Sequence, residues 1–320
     1  MWMTISRKPK NRWDVYPTLK EVLSSTYNLS TSPFGITETG LQDFRGIKLI
    51  GDKDESVFLS VSLKDSDFSG SLWNSFQISE QGDSQVTIEN VKFDGSTFKN
   101  EYFCDEMFGM GAHFISCSFA NCVYKGVDFV GAKLQGCDFS NIKKNIRLNF
   151  IYCTLIENCR FQGEIHKAMF GISPLKECSF KGKLYDCIFY GVDKTPNNGG
   201  IVPPEEVDNR MDTIDFSQAE VISCSFRDFC YLDKVKPSPQ NCLVKITNEF
   251  YLKLKELIEQ EPLAKDREEL LQYTSLFCQP SPSIPYNIYH PEYFESDSEL
   301  GHKWYNFICH SAEETNCRIK

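Results

Sequence analysis

Between Ala112 and Ser140, large apolar side chains recur at every fifth position, with mostly polar residues or glycine between them. An amphipathic helix repeats its apolar positions at a spacing near 3.6, and a half-buried strand at a spacing of 2. A sustained period of five instead predicts a chain that bends once per five residues and points inward again after each bend. The large residues of this run are Phe114, Phe119, Tyr124, Phe129, Leu134 and Phe139.

A smaller residue precedes each large one by two positions. A chain that bends in the same direction at every corner forms a coil, and stacked coils share one continuous core. We expect the large residues to line a single column along the axis, and the small residues to let neighbouring backbone approach closely. The small residues are Ala112, Cys117, Cys122, Val127, Ala132 and Cys137.

This pattern resembles the pentapeptide-repeat family, whose motif is roughly small–polar–Phe/Leu–polar–polar. The resemblance implies a mainly β fold, a right-handed quadrilateral β-solenoid with four pentads per coil. The five-residue spacing recurs in separate segments over residues 41–235. A Pro- and Gly-rich stretch at 192–213 predicts a loop insertion between two of these segments. The large residues of these pieces are Phe44, Phe58, Leu63, Phe68, Phe93, Phe98, Phe103, Phe108, Phe150, Leu155, Phe161, Phe170, Leu175, Phe180, Phe189, Phe216, Val221, Phe226 and Tyr231.

Both ends of the chain lack the five-residue period. Pro17 is favourable at the first position of a helix, because its missing N–H would have no partner there. Residues 1–40 are therefore predicted to form a helical cap and loop, with the helix over 17–29. Helical spacing of apolar residues over 243–258, a second helix over 263–277 and a last helix near Ser298 predict a helical C-terminal domain over 236–320. Residues 279–294, rich in Pro and Tyr, predict a linker.

The net charge of −10 resides on the repeats. Residues 50–233 carry 27 acidic and 17 basic side chains, whereas residues 1–49 carry 4 acidic and 7 basic ones. Direct binding of nucleic acid through a broad basic surface is therefore not expected. A mildly acidic rod favours solubility and can also engage a basic protein surface.

Fourteen cysteines would ordinarily suggest disulfides or a metal site, but their positions indicate a packing role. A free cysteine in the small position of the repeat is a compact apolar group, and the chain contains no C-x-x-C motif. Many unpaired thiols are typical of a reducing compartment, which predicts a cytoplasmic protein. The cysteines in the small position are Cys117, Cys122, Cys137, Cys153, Cys159, Cys178, Cys187 and Cys224.

The sequence carries none of the common catalytic or nucleotide-binding motifs, and no enzymatic activity or cofactor is predicted. His302, Cys309, His310 and Cys317 lie within sixteen residues, but their spacing matches no common zinc pattern. Adjacent Cys309 and His310 would point to different faces of a helix, so no metal site is predicted. As a nucleophile, Cys309 would need a base placed beside it by the fold. No apolar run reaches the roughly 18 residues that span a membrane, and the N-terminus lacks the apolar segment of a secretory signal.

Three hypotheses for function follow from the resemblance. Interrupted repeats with helical additions resemble immunity or inhibitor proteins, which bind and neutralise a protein such as a bacterial toxin. Other members mimic duplex DNA toward a type II topoisomerase such as gyrase, although the interrupted repeats, 17 basic residues and C-terminal extension of this chain depart from that pattern. A third hypothesis is a secreted bacterial effector whose repeats bind a host protein.

Candidate partner contacts fall into three groups. Asp67, Asp128 and Asp138 each precede a core position and are expected to face outward as a partial acidic stripe. The inserted loop and the last helix interrupt the repeat and supply the remaining candidates. Aromatic residues often dominate interfaces, although the two aromatic residues of the last helix could instead pack the cap onto the last coil. The remaining candidates are Glu205, Glu206 and Asp208 in the loop, and Trp304 and Tyr305 in the helix.

Overall fold

Short parallel strands from successive coils pair to form the walls of a β-solenoid. The computed structural model describes residues 11–51, 57–78, 86–99, 111–142, 148–191, 211–293 and 298–320. The first wall is a seven-stranded sheet and the second a four-stranded one. The first comprises Gln42–Asp43, Leu63–Asp67, Thr87–Lys92, His113–Ile115, Lys133–Gln135, Leu155–Glu157 and Leu175–Lys176; the second comprises Lys48–Ile50, Leu72–Asn74, Thr97–Lys99 and Val123–Lys125.

Two further parallel sheets complete the walls. The third has five strands, Val127–Val130, Leu148–Ile151, Met169–Gly171, Ile188–Tyr190 and Ser225–Arg227. The fourth has four strands, Asp138–Ile142, Arg160–His166, Ser179–Tyr185 and Asp215–Ile222, and Val57–Leu59 pairs separately with Phe76–Ile78. The chain from 123 to 142 visits all four walls in one coil, which confirms the mainly β, quadrilateral solenoid.

The large residues of the repeat stack on their counterparts in the next coil. Phe119 and Phe139, twenty residues apart, lie parallel with ring centroids separated by 4.8 Å. This first aromatic column comprises Phe44, Phe68, Phe93, Phe119, Phe139, Phe161, Phe180 and Phe216, with successive centroids 4.7–5.8 Å apart. A second aromatic column comprises Phe129, Phe150, Phe170, Phe189 and Phe226.

The expectation of a single column is therefore wrong. Phe129 belongs to the second column and meets Phe139 of the first edge to face, at 86° and 5.9 Å. Each wall contributes its own inward residue, so a residue stacks on the one a full coil away and not on the one five positions away. The assignment of Leu155 to the core is also wrong, because Ile156 pairs with Leu134 and is buried there. Phe58, Phe103 and Phe108 lie where no side chain is described.

The cysteines predicted to fill the small position of the repeat are free and buried. Their thiols contact the backbone of the preceding coil, as in the hydrogen bonds from Cys117 Sγ to the carbonyl oxygen of Ile88 at 3.1 Å and from Cys178 Sγ to that of Ile156 at 3.3 Å. Burial raises the pKa of the Cys153 thiol to about 12, so it stays protonated. These contacts confirm the packing role.

Gly163 and Gly182 allow the fourth wall to turn a corner. Their φ angles of 129° and 103° lie in the region that favours glycine. A Cβ on Gly163 would stand 2.1 Å from the carbonyl oxygen of Ile142, and one on Gly182 would stand 2.3 Å from that of Gly163. A side chain at either position would therefore push adjacent coils apart.

The N-terminal segment covers the first coil. A 3₁₀ helix over Arg12–Val15 places Trp13 over Phe44, with nearly parallel rings 6.3 Å apart. Helix α1, Leu19–Ser25, begins after Thr18, whose side chain accepts a hydrogen bond from the Glu21 backbone N–H. The helix is shorter than predicted at both ends: this capping box, and not Pro17, sets its start, and positive φ angles at Tyr27, Asn28 and Leu29 exclude these residues from the helix. Trp13, Val22 and Leu29 join the core of the solenoid.

The C-terminal segment begins with a strand where a helix was predicted. Cys242–Lys245 pairs antiparallel with Tyr286–Tyr289 and with Arg318–Ile319. Three helices follow the first strand: α2, Asn248–Glu259, α3, Ala264–Phe277, and α4, Ser298–Glu314. The predicted linker over 279–294 thus contains a strand, and the prediction of helix from residue 243 is wrong.

Alternating side chains let this small sheet face two cores. Leu243, Tyr286 and Ile288 join the core of the solenoid, whereas Cys242, Val244 and Tyr289 join the core formed with the helices. Successive side chains of a strand point to opposite faces. The sheet therefore lies between the last coils and the three helices, and each of its faces is buried against one of them.

Replacement of Phe139 by Ala should lower the free energy of unfolding by about 3–5 kcal/mol, because a buried ring is lost between two stacked neighbours. Denaturation in urea, followed by far-ultraviolet circular dichroism, measures the change. Val123→Ala is the control, since Val123 is 39% exposed on the second wall and its loss should cost less than about 1 kcal/mol. Equal effects of the two substitutions would contradict the stacked column as a source of stability.

Asp43→Asn should destabilise the N-terminal cap by about 1–3 kcal/mol at neutral pH. Asp43 ion-pairs with Arg45 at 2.9 Å and with Arg12, and these bonds hold the pKa of its carboxyl well below the ordinary value. Because the pKa of the Asp43 carboxyl is lower in the folded state, its ionisation stabilises the folded protein at pH values above the unfolded pKa of about 4. This contribution is lost as the pH falls toward the folded pKa.

Unfolding at pH 7 and pH 3 tests this linkage, since the difference between wild type and Asp43→Asn should shrink at pH 3. Glu38→Gln, at an exposed residue near Arg45, serves as the control with little effect. A difference that does not change with pH would show that the carboxylate charge is not what stabilises the cap.

Candidate protein-binding surfaces

A chain of hydrogen bonds runs across four coils on the first wall. His113 Nε2 lies 2.7 Å from Gln135 Oε1, and Gln135 Nε2 donates to Glu157 Oε2 at 2.7 Å. Lys176 Nζ donates to Glu157 Oε1, also at 2.7 Å, and lowers the pKa of that carboxyl. Strand register places Gln135 beside Glu157 and Glu157 beside Lys176, one coil apart. His113 reaches Gln135 diagonally, because its own register partner is Lys133.

Six carboxylates on the described solenoid walls are paired with basic side chains of adjacent coils. These pairs do not change the net charge of the repeats, but each of them places a positive charge directly beside a carboxylate. The pairs are Lys64–Glu89 at 3.3 Å, Arg160–Asp138 at 3.2 Å, Lys176–Glu157 at 2.7 Å, Lys183–Glu220 at 3.3 Å, Lys234–Asp212 at 3.1 Å and Lys236–Asp215 at 3.7 Å.

The structure does not form the predicted acidic stripe from Asp67, Asp128 and Asp138. Asp67 is 8% exposed and accepts a hydrogen bond from the backbone N–H of Ser69, and Asp128 is 3% exposed and accepts one from Asn149. Asp138 is half-buried and paired with Arg160. The outward orientation expected for the first two is wrong, because their carboxylates satisfy polar groups of their own walls. Glu205, Glu206 and Asp208 lie outside the described residues.

Trp304 and Tyr305 take different positions on α4. Trp304 is 1% exposed, and its indole N–H donates to Thr274 Oγ1 at 3.0 Å. Tyr289 meets it edge to face at 5.5 Å. Tyr305 is half-buried and donates its hydroxyl to the carbonyl oxygen of Gln240 at 3.1 Å. Trp304 is thus a core residue of the C-terminal unit, and Tyr305 lies at its edge.

An open groove of about 570 Å³ runs between the end of α2 and α4. Leu257, Pro262 and Phe307 give it an apolar floor. Lys303 on its rim is held by Asp266 at 2.6 Å and Glu261 at 3.3 Å. His310, at the other side, lies 2.8 Å from Glu314. No local sequence pattern predicts this groove, because two helices and a turn form it only when they pack together in the fold.

The cysteines and histidines near the C-terminus are dispersed. His302 and His310 are exposed, whereas Cys317 is buried beside Thr247, with its sulfur 3.3 Å from the threonine hydroxyl. Across the described residues, no group of three or more His, Cys, Asp or Glu side chains is positioned to hold a metal ion. Nor does any helix in the described part of the chain have the length and apolar character needed to cross a membrane.

The family model for pentapeptide repeats (8 copies) matches residues 110–143. Solved structures similar to this chain include two pentapeptide-repeat and resistance proteins. HetL, a pentapeptide-repeat protein involved in heterocyst differentiation regulation from the cyanobacterium Nostoc sp. strain PCC 7120, is 14% identical with a TM-score of 0.26, and the match covers 68% of this chain and 90% of HetL. QnrB1, a plasmid-mediated fluoroquinolone resistance protein, is 16% identical with a TM-score of 0.19, covering 61% and 92%. No curated protein matches the sequence.

Trp304→Ala should lower the free energy of unfolding by about 3–5 kcal/mol, because it empties the centre of the helical core. Tyr305→Phe removes only a hydroxyl bonded to one carbonyl and should cost about 0.5–1.5 kcal/mol. Urea denaturation of the two variants, side by side, measures the contrast. A Trp304→Ala protein as stable as wild type would return Trp304 to the candidate surface contacts.

Proposed function

Since the chain is a pentapeptide-repeat protein, we propose that it acts without catalysis, by binding and neutralising a protein partner such as a bacterial toxin. The groove between α2 and α4 carries this proposal. Exposed apolar surface with a polar rim is typical of protein-interaction sites, and Leu257, Pro262 and Phe307 provide such a surface. The partner would insert an apolar side chain or the apolar face of a helix there.

Rigidity of the scaffold supports binding through a preformed surface. The stacked columns continue from Trp13 to Phe226, and the small sheet fixes the helices to the last coils. A preformed surface loses little conformational entropy on association. With a net charge of −10, the protein would also attract a basic partner from solution.

We also propose a division of the chain into three units and a second region that contacts the partner. We assign 1–40 to the N-terminal cap, 41–235 to the solenoid and 236–320 to the C-terminal unit that carries the groove. The loop at 192–213, with Glu205, Glu206 and Asp208, would supply the second contact. Free buried thiols are consistent with a cytoplasmic site of action.

Mimicry of duplex DNA is the weaker alternative. Such a mimic would present unpaired carboxylates in place of phosphates. In the described walls, Asp138, Glu157 and Glu220 instead pair with basic residues, and Asp67 and Asp128 are buried. The effector hypothesis differs from our proposal in the origin of the partner, which would then be a host protein.

Phe307→Asp should weaken partner binding at least about tenfold, because a charge would replace part of the apolar floor. Tagged wild-type protein is used to isolate a stoichiometric partner from the native host, and the affinity of each variant for that purified partner is measured by calorimetry. Val123→Asp, on the second wall, is the matched control and should bind like wild type. Circular dichroism of both variants, compared with wild type, checks that a loss of binding is not a loss of folding.

Three outcomes would count against this function. Failure to isolate any stoichiometric protein partner, at any salt concentration, would contradict the proposed function. Equal binding by Phe307→Asp and wild type would remove the groove as the contact surface. Inhibition of gyrase supercoiling by micromolar protein would favour DNA mimicry over the proposed function. Unchanged supercoiling would instead exclude DNA mimicry.

A further inference from the structure

Each end of the groove between α2 and α4 contains a lysine that is held by two carboxylates. At the first end, Lys303 Nζ lies 2.6 Å from Asp266 Oδ2 and 3.3 Å from Glu261 Oε1. The Arg267 guanidinium donates to the carbonyl oxygen of Glu261 at 2.9 Å, which places its positive charge on the negative end of the α2 dipole. Two carboxylates around one lysine leave an excess of one negative charge at this end.

The second end of the groove repeats this arrangement. Lys253 Nζ lies 2.9 Å from Glu314 Oε2 and 3.0 Å from Glu256 Oε1. His310 Nε2 lies 2.8 Å from the other carboxylate oxygen of Glu314. Helix α4 ends at Glu314 with no basic residue in its last turn, so the negative end of its dipole adds to these carboxylates. With His310 neutral, the second end also carries an excess of one negative charge.

The apolar floor of the groove lies between the two charged ends, and includes Leu257 and Phe307. Along α2, Lys253, Leu257 and Glu261 follow one another at intervals of four residues, so they lie on one face of the helix. At a rise of 1.5 Å per residue, the charged ends are about 12 Å apart, with the apolar floor midway. An α-helix bound in the groove covers that distance with about eight of its own residues. Its side chains at i, i+4 and i+8 would therefore meet one end, the floor and the other end.

We propose that the groove binds an amphipathic α-helix of the partner in which Lys or Arg stands four positions before and four positions after a large apolar residue. The apolar side chain fills the floor between Leu257 and Phe307, and each basic side chain binds the carboxylates at one end. Charge complementarity favours this occupant over an acidic helix, since residues 234–320 carry 13 acidic and 10 basic side chains. This specificity rests on the proposed function, because it names the partner segment that the same groove binds.

Both parts of this pattern are needed for selectivity. An apolar helix without basic residues would cover the carboxylates of Glu256 and Asp266 without pairing them, and a desolvated charge without a partner is costly. The side chains of these two residues are 60% and 28% exposed in the free protein, so they have hydration to lose. A basic helix without the apolar residue would gain only exposed ion pairs, which contribute little. The order of residues along the helix therefore matters as much as their composition.

Three fluorescein-labelled helical peptides of equal length test this pattern against the folded full-length protein. The first carries Arg, Phe and Arg at i, i+4 and i+8, the second has both arginines moved to the opposite face, and the third has Glu in place of Arg. Fluorescence anisotropy is measured at pH 8, where histidine side chains are ordinarily neutral. The first peptide should bind at least about tenfold more tightly than either of the others. Raising the NaCl concentration from about 50 mM to about 500 mM should remove most of that difference.

Substitutions at the two ends and in the floor locate the bound peptide. Asp266→Asn and Glu256→Gln each remove one carboxylate charge and should each weaken binding of the first peptide about threefold. Phe307→Ala should weaken its binding at least about tenfold, because the floor loses a ring. Glu268→Gln, at an exposed position of α3, removes the same charge away from the groove and is the matched control. Circular dichroism of each variant, compared with wild type, checks folding.

Equal affinities for the three peptides would overturn the proposed pattern, as would equal effects of Glu256→Gln, Asp266→Asn and Glu268→Gln. The natural partner separates this result from the proposed function. A partner whose binding is weakened by Phe307→Asp but not by Glu256→Gln or Asp266→Asn would contradict the basic flanks and leave the proposed function standing. Preference for the first peptide without any natural partner would support the selectivity of the groove and contradict the proposed function.

Discussion

Vertical stacking of inward side chains between coils is the interaction on which this structure depends. Parallel strands of adjacent coils stand about 4.8 Å apart, and the rings of Phe119 and Phe139 stand at that same separation. A flat ring fills one layer and contacts the next without leaving a cavity, so each coil provides the packing surface for its neighbour. Edge-to-face contacts such as Phe139 with Phe150, at 90°, then join the two columns across the interior.

The same stacking decides what the corners of the coil can contain. Close approach of successive coils leaves room for a thiol at Cys137, whose sulfur lies 3.7 Å from the carbonyl oxygen of Phe114, and for no side chain at Gly163. Stacking of coils also leaves an open coil at each end of the solenoid, where unpaired strands could associate with other chains. Trp13 covers one end with a ring, and Leu243 with its neighbours covers the other with a sheet face.

The period of five was sufficient to predict stacked coils around one core, because a local rule of bending and pointing inward repeats in sequence. The quadrilateral β-solenoid itself was implied by the resemblance to pentapeptide repeats. It was insufficient to predict which residues stack, since that depends on the length of a whole coil. Phe129 was placed in the wrong column for this reason, and one extra residue between Phe150 and Ile156 shifted Leu155 out of the core. The strand at 242–245 was missed because Leu243 and Ile246 also fit helical spacing. Its register against 286–289 arises from a pairing forty residues distant, which no local pattern contains.

The same stacking explains why side-chain contacts on the solenoid walls differ from those in the C-terminal unit. On the walls, residues at equivalent positions come together in every coil, so an acidic residue in one coil meets whatever its counterpart is in the next. Glu157 meets Lys176, and the charges are neutralised within the wall. The helices of the C-terminal unit have no such repeat, and their packing instead brings together residues distant in sequence, such as Leu257 with Phe307 and Thr274 with Trp304. Contacts that do not repeat from coil to coil are therefore found where the repeat ends, in the unit that packs on the last coils through the small sheet.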